Sequence, residues 1–194
     1  MVIPATKKYD GGLIHNRFAY EYLRDNTSPT GDVVIFQGEM EVLGPGMIDK
    51  EDLLENDFIY SKNALNICWE IPNLGSLGAV FFQRLFNHRI RELLTEEARH
   101  TFHDRRYYMK GDDIMFYNMD KPSEHFKCSV SITYSNNNFA IGHTGLNIEA
   151  GDNAPSFAGD IAVKELVLFA RKVDREFYNI VSDSALATSK ITIA

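Results

Sequence analysis

The sequence predicts an α+β protein with a mainly antiparallel sheet and helices packed on one face of that sheet. Two segments, 75–94 and 161–181, carry apolar residues at three- and four-residue spacing, which is the pattern of an amphipathic helix. Several shorter segments alternate apolar and polar residues, which is typical of strands with one buried face. The strands cluster along the chain instead of alternating with helices, and this order favours antiparallel pairing.

Helices are expected at about 13–24, 75–94 and 161–181. In the second of these, Gln83, Arg84 and Asn87 fall on the polar side, opposite the apolar stripe. Asp160 precedes the third helix, where a carboxylate is suited to accept from the unpaired N–H groups of the first helical turn. Residues from Asp183 to the end have weak signals and are expected to form a small strand or a loose tail.

Strands are expected at 32–37, 64–71, 113–118, 127–134 and 139–148. The segment 64–71 divides its side chains cleanly between two faces, with Leu65, Ile67, Trp69 and Ile71 on one and Asn66, Cys68 and Glu70 on the other. The last two strands are separated by Ser135-Asn-Asn-Asn138, which is a turn signal, so we expect them to pair as a hairpin.

Composition limits the class of protein. The chain has 194 residues, with 20 Lys and Arg against 27 Asp and Glu, so its formal net charge is −7. This acidic balance disfavours a protein that coats nucleic acid through its overall field. No apolar run approaches the roughly 20 residues of a membrane-spanning helix, and the start of the chain lacks the apolar core of a secretory signal. We therefore expect one cytoplasmic domain over 1–194, with Cys68 and Cys128 as reduced thiols.

A polar face on the predicted hairpin is the leading candidate for a functional site. One strand places Lys127, Ser129, Ser131 and Thr133 on a common face, and the other does the same with His143, Gly145 and Asn147. A one-residue slip reverses the alignment of two strands, so the sequence leaves open whether the two sets face the same way. The polar face is either the solvated side of a half-covered sheet or a ligand-binding surface. Its small side chains leave room for a ligand.

Carboxylates supply further candidates. Asp112 and Asp113 stand at the start of a predicted strand, where they either hold Mg²⁺ or a polar group of a ligand, or fill the hydrogen bonds of a turn. Glu39 and Glu41 either point together into a site or lie on the solvent face of an edge strand.

Metal binding by histidine is not predicted. His100 and His103 have a helical spacing that suits zinc, but no third ligand follows at a defined spacing.

Three motifs together carry a family resemblance. They are Gly111-Asp-Asp-Ile-Met-Phe116, Phe126-Lys-Cys-Ser-Val-Ser-Ile132 and Ile141-Gly-His-Thr-Gly-Leu-Asn-Ile148. Their order resembles an uncharacterised family, the domain of unknown function 366, in which the corresponding segments are close to R-x-G-D-D-L, K-x-S-V-S-I and I-H-x-G-L-N. More remotely, the same order is similar to the catalytic domains of biotin–protein ligases.

The ligase resemblance implies the fold of biotin and lipoate ligases, which is related to class II aminoacyl-tRNA synthetases. It implies that Lys127 stands where the lysine of these ligases contacts the acyl-adenylate. It also implies that Asp113 matches the Asp of their Asn-Asp pair, with Asp112 in place of the Asn. The sequence does not identify a cofactor, and ATP and Mg²⁺ are the candidates. The arginine- and glycine-containing loop of the ligases has no counterpart between Phe36 and Trp69.

Three functional hypotheses follow. The first is a small-molecule enzyme on this scaffold that binds a carboxylate- or nucleotide-like ligand, with Lys127 supplying positive charge, Asp112 and Asp113 holding a polar group or metal, and His143 moving a proton.

The second is an enzyme of purine or 7-deazaguanine-type bases, in which Glu39, Glu41 or Glu70 accept from the base; the missing arginine loop is its main support. The third is a non-catalytic ligand-binding or interaction module, which an open, flat polar face favours. A homodimer joined at sheet edges is compatible with all three.

Overall fold

Two antiparallel sheets and two long helices form the framework of the protein. The computed structural model describes residues 2–3, 7–15, 17–101, 104–136 and 138–191. The strands are β1 (Val2–Ile3), β2 (Asp32–Val42), β3 (Ile59–Pro72), β4 (Arg105–Lys110), β5 (Asp113–Asn118), β6 (Lys121–Lys127), β7 (Ser129–Asn136) and β8 (Phe139–Glu149). The helices are α1 (Phe18–Leu23), α2 (Lys50–Glu55), α3 (Gly75–Thr101) and α4 (Leu166–Ser189).

The larger sheet has five strands in the order β1-β2-β3-β8-β7. Only the short β1 runs parallel to its neighbour, so the sheet is mainly antiparallel, as predicted. In its centre Cys68 lies opposite His143, and Ile132 lies opposite His143 on the other side. Because directly opposed residues share a face, His143 faces the same way as Cys68 and Ile132.

Helices α3 and α4 cover one face of the larger sheet and bury its main apolar core. The ring centroids of Trp69 and Phe82 lie 4.8 Å apart, and Phe177 of α4 packs 5.6 Å from Phe82. Gly142 of β8 makes room for the indole, since a Cβ atom there would lie 2.2 Å from the Trp69 ring. The predicted apolar face of β3 therefore packs under the long helices. None of the helices in the described ranges is both long and apolar enough to cross a bilayer.

Helix α1 and the segment 7–15 cover part of the opposite face. They bury a second apolar cluster that includes Tyr9, Phe18, Met40, Cys68 and Ile141. Cys68 and Cys128 are both free and buried, and burial raises the pKa of each thiol. The remainder of this face borders a cavity.

The smaller sheet has the order β4-β5-β6, and the chain passes from it into the larger sheet at Cys128. The backbone N–H of Cys128 donates to the carbonyl of Ile114, 3.0 Å away, and thereby ties the two sheets together. The sequence predicted one strand over 127–134, whereas Lys127 ends β6 and Ser129 begins β7. Lys127 and Ser129 therefore belong to different sheets.

Helix α4 differs from its predicted bounds at both ends. It begins at Leu166, and Asp160 does not cap it, because the Asp160 carboxylate accepts from the backbone N–H of Ala150 at 2.7 Å. It continues to Ser189, so the described residues after Asp183 are helical as far as that residue, where a strand or loose tail was expected. These last turns are exposed, and they consequently show no apolar stripe.

Candidate functional site

A cavity of about 280 Å³ lies beside β7, the last strand of the larger sheet. Its walls are the turn between β4 and β5, the connection between β2 and β3 (residues 43–58), and residues 155–158. The charged side chains that line it are Lys127, Asp49, Asp52, Asp57, Asp112 and Asp113. Apolar lining comes from Met47, Phe58, Val130, Ile132 and Phe157, among others. A concave site with an apolar wall and a few convergent polar groups is the usual form of a small-molecule site.

Lys127 is held at the junction of the two sheets. Its backbone N–H donates to the carbonyl of Phe157 at 2.8 Å, and its carbonyl accepts from the N–H of Gly159 at 2.9 Å. Its ammonium Nζ lies 2.9 Å from Oδ2 of Asp113, and each of these two side chains is less than one-third exposed. The backbone on both sides of Lys127 is therefore fixed, and its charge points to a partly buried carboxylate.

Asp112 and Asp113 are presented by a tight hairpin turn. Gly111 has a φ of +67°, which a glycine adopts without strain, and Lys110 pairs with Asp113 across the turn. Burial raises the pKa of the Asp113 carboxyl, and the neighbouring Lys127 opposes this rise. Asp113 is thus ionised beside the lysine but holds its proton more readily than an exposed aspartate.

Three side chains of α3 hold this turn in place. The amide of Asn87 donates to the carbonyl of Asp112 at 2.9 Å, and Gln83 Nε2 lies 3.3 Å from Oδ2 of the same residue. Arg84 forms an ion pair with Asp112 at 3.4 Å. Gln83 and Asn87 are buried although they lie on the polar side of the helix. The polar side of α3 therefore holds the turn that carries Asp112 beside the cavity.

The connection between β2 and β3 supplies the other three carboxylates, Asp49, Asp52 and Asp57, which we call the acidic wall. Asp49 caps α2, since its Oδ1 accepts from the N–H groups of Glu51 at 2.8 Å and Asp52 at 3.4 Å. Burial raises the pKa of the Asp52 carboxyl, Asp49 and Asp57 raise it further, and Lys127 lowers it. Negative charge is therefore concentrated on this side of the cavity.

His143 borders the cavity but is almost completely buried. Its ring stacks on that of Tyr9, with centroids 3.6 Å apart, and its Nε2 lies 3.0 Å from Oδ1 of Asn66. Since the Asn66 oxygen accepts, the hydrogen-bond network assigns the proton to Nε2. Burial lowers the pKa of His143 to about 3, so the ring is neutral at physiological pH. This environment disfavours the proton-transfer role predicted for His143.

Ser129 and Ser131 also border the cavity, but their hydroxyls are committed to other partners. The oxygen of Ser129 accepts from the N–H of Ile114 at 2.7 Å, and that of Ser131 accepts from Gln83 at 2.9 Å. Ser131 lies opposite Thr144 in the sheet, so it faces α3 and not the side of His143. The two polar sets of the hairpin therefore face opposite ways.

Gly145 and Asn147 have packing roles in the same region. A Cβ atom on Gly145 would lie 2.5 Å from Sδ of Met40, so the glycine leaves room for the Met40 side chain, which extends from β2 across β3. Asn147 lines the cavity, and its backbone carbonyl accepts from Ile161 at 2.6 Å. It anchors the segment that holds Lys127.

The three predicted glutamates lie away from the cavity. Glu39 and Glu41 both pair with Lys8 at the surface, but β2 lies between β1 and β3 and is not the edge strand that was expected. Glu70 is buried opposite Asp32 near the other end of β3. None of the three is brought close to Lys127, and the purine hypothesis loses the residues on which it rested.

Sequence reasoning missed the acidic wall and the contacts of Gln83 and Asn87. The acidic wall had a usable signal, because Asp49 precedes Lys50-Glu-Asp-Leu-Leu-Glu55, a capped helical turn. The two α3 residues had none, since their partners lie 25 or more positions away along the chain.

ATP and Mg²⁺, the cofactors implied by the ligase resemblance, do not fit this cavity. A triphosphate needs several cationic or N–H donors, whereas Lys127 is the single cationic side chain that lines the cavity in the described ranges, and Asp113 already pairs with it. Five lining carboxylates repel phosphate. Among the described residues, no group of three or more His, Cys, Asp or Glu is arranged to hold a metal ion. His103, one of the histidines considered for zinc, lies outside the described residues.

Solved structures with the same fold include both uncharacterised and characterised proteins. A protein of unknown function from Pyrococcus horikoshi is 22 % identical, with a TM-score of 0.79 over 100 % of this chain and 97 % of that one. A lipoate-protein ligase A bound with ATP is 11 % identical, with a TM-score of 0.53 over 92 % of this chain and 83 % of that one. The bi-partite lipoate protein ligase of Thermoplasma acidophilum is 10 % identical, with a TM-score of 0.50 over 94 % and 83 % of the two chains.

The predicted ligase-like architecture is therefore confirmed at the level of the fold. Identities this low carry no information about substrate. No curated protein matches the chain in sequence. The model of a family described as a domain of unknown function (DUF366) matches residues 1–192, and the chain belongs to this family.

Proposed function

We propose that the protein is an enzyme that binds a small carboxylate-bearing molecule in the cavity and acts on it beside Lys127. One observation carries this proposal: a partly buried Lys127–Asp113 pair, 2.9 Å apart, stands in the wall of a cavity of about 280 Å³ on a ligase-like fold. An ammonium held in this way offers positive charge at a partly buried position.

The chemistry proposed for Lys127 is electrostatic. When a ligand carboxylate enters, the Lys127 ammonium is shared between that group and Asp113. When the carboxyl group arrives as an ester or thioester, the hydroxyl or amine of a second substrate forms a bond to the acyl carbon, and the carbonyl oxygen takes up negative charge that the Lys127 ammonium stabilises. The bond from the acyl carbon to the alcohol or thiol then breaks, and that group leaves as the carbonyl re-forms. Asp113, whose pKa is raised by burial, is the group best placed to accept a proton at this point.

A ligand panel on the purified protein tests the proposal. The panel contains biotin, lipoate, straight-chain carboxylates, guanine-type bases, and ATP with Mg²⁺, each measured by thermal shift. A ligand at about 100 times its dissociation constant stabilises the native state by roughly 2.7 kcal/mol, which gives a readable shift. We expect a carboxylate to produce a shift that Lys127→Met abolishes.

Lys62→Met is the matched control, because Lys62 forms an exposed ion pair with Glu149 and does not line the cavity. It should keep the ligand-induced shift. A carboxylate shift that survives Lys127→Met, or a shift produced by the bases alone, contradicts the proposal.

A further inference from the structure

The charges that line the cavity do not balance. Asp113 pairs with Lys127, and Asp112 pairs with Arg84, so two of the five lining carboxylates have a cation within 4 Å. The other three are the acidic wall. In the described part of the chain, none of these three forms a salt bridge.

The geometry of the connection holds the acidic wall close to the cavity. Asp49 is fixed by its two bonds to the start of α2, and the backbone N–H of Asp57 donates to the carbonyl of Asp52 at 2.9 Å. Asp49 and Asp52 are half-buried. Like charges held together in a partly desolvated place repel one another, and a bound cation relieves that repulsion.

The rest of the cavity lining includes apolar side chains, which separate its charged groups. Met47 and Phe58 come from the connection, and Val130 and Ile132 come from β7. Such a lining suits a ligand with a hydrocarbon body and charged ends. A polyphosphate lacks that body, and a lone divalent ion does not fill a cavity of about 280 Å³.

Building on the proposed function, we propose that the ligand is amphoteric. Its carboxylate meets Lys127, its apolar body packs on Val130 and Phe58, and a cationic group, either a primary ammonium or a planar guanidinium, meets the acidic wall around Asp52. The acidic wall, which repels a nucleotide triphosphate, thus favours an amino-acid-like or amino-acyl molecule.

Three sets of probes test this by calorimetry on the full chain: ω-amino acids of increasing chain length, the matching carboxylic acids, and the matching alkylamines. We expect one ω-amino acid to bind about tenfold or more tightly than the carboxylic acid of equal length, which corresponds to about 1.4 kcal/mol. In Asp52→Asn this advantage should fall to about twofold or less, while the plain acid should bind no more weakly than in the wild type, because a negative charge near Lys127 is removed.

Two variants guard against indirect effects. Asp57→Asn tests the same wall from an exposed position outside α2, and it should also reduce the advantage of the amino group. Asp120→Asn removes an exposed aspartate that does not line the cavity, and it should change nothing.

The outcomes separate this inference from the proposed function. If carboxylic acids bind through Lys127 but the amino group adds nothing, the amphoteric ligand is wrong and the proposed function stands. If neither acids nor ω-amino acids bind, both fail. Saturable binding of Mg²⁺ alone at Asp52 overturns the inference in favour of a metal.

Discussion

Carboxylates are buried in opposite ways at two places in the molecule, which we call the closed end, where β2 pairs with β3, and the open end, where the two sheets meet. At one end, Asp32 and Glu70 lie opposite each other across β2 and β3, and each is about 2 % exposed. Asp32 accepts from the N–H of Ser28 at 2.9 Å, and Glu70 accepts from the N–H of Ala19 in α1. At the other end, Asp113 pairs with the ammonium of Lys127 and borders a cavity.

Burial raises the carboxyl pKa at both ends, so a raised pKa alone does not mark a ligand site. The closed end pairs its carboxylates with backbone N–H groups of α1 and of the turn before β2, although Oε2 of Glu70 is buried without a hydrogen-bond partner among the described residues. The open end satisfies its carboxylate with a side-chain cation beside empty space. The cavity and the exchangeable partner of Asp113, and not the raised pKa, make the open end the candidate ligand site.

The largest effect is expected where α3 supports the open end. Asn87→Ala removes buried hydrogen bonds to the carbonyl of Asp112 and the hydroxyl of Thr144. The carbonyl of Asp112 loses a partly buried partner, the Thr144 hydroxyl keeps only Ser131 at 3.1 Å, and removal of the fully buried Asn87 amide leaves a cavity, so we expect the free energy of unfolding in urea to fall by about 3 kcal/mol. Asn179→Ala, on the exposed side of α4, should change it by about 0.5 kcal/mol or less. Equal losses in the two variants would show that Asn87 does not support the turn.

The stability of the larger sheet is expected to depend on pH through His143 at its centre. Its folded pKa of about 3 lies below the unfolded value of about 6.5, so its contribution to stability is complete above about pH 6.5 and is lost as the pH falls. Between pH 7 and pH 5 we expect a loss on the order of 2 kcal/mol. His143→Gln should abolish this slope in urea unfolding measured at each pH. Parallel slopes for the two proteins would contradict a neutral His143.

The open end is expected to show coupling between its two charges. Lys127→Met leaves Asp113 partly buried without its cation, and Asp113→Asn leaves Lys127 in the same position. A double-mutant cycle should give a coupling energy of about 1.5 kcal/mol, between the values of exposed and fully buried pairs. The same cycle on Lys62 and Glu149, an exposed pair, should give less than about 0.5 kcal/mol. Additivity at Lys127 and Asp113 would place the pair in solvent.

The smallest change in the free energy of unfolding is expected at the closed end, where the substitution should stabilise the protein. Glu70→Gln removes a buried charge opposite Asp32 and should raise the free energy of unfolding at pH 7 by on the order of 1 kcal/mol. Because the folded pKa of Glu70 is raised, the wild type loses stability as the pH rises from the unfolded value of about 4.3 through the folded one.

The advantage of Glu70→Gln should therefore disappear at pH values below both of these pKa values. Glu124→Gln, an exposed position in β6, serves as the control and should be neutral. A destabilising Glu70→Gln at pH 7 would mean that the charge itself is needed to hold α1.

Period-two alternation predicted the faces of β3 correctly, because Trp69 and its apolar neighbours pack where the pattern placed them. The same rule failed at Cys128. Lys127 and Ser129 keep the alternation going, so nothing in the pattern shows that the chain changes sheets between them. The alternation of apolar and polar residues indicates which way the side chains point, but it does not indicate which strands pair.

The candidate site was predicted in part. Lys127, Asp112 and Asp113 do meet at one cavity, and the family motifs pointed to all three. The positions of Glu39 and Glu70 depend on which elements cover each stretch of sheet, and local sequence does not contain that information. Whether Ser131 and His143 share a face depends on the register of the two strands, and a shift of one residue would reverse the result.

A single surface connection, residues 43–58, supplies the whole acidic wall, whereas Lys127 and Asp113 come from the junction between the two sheets. Connections of this kind accept exchanges and insertions more readily than strands do. The two halves of the cavity are therefore separable parts for a protein engineer. Grafting a basic or apolar segment between β2 and β3 should redirect which molecules enter, while the lysine and its aspartate remain where they are.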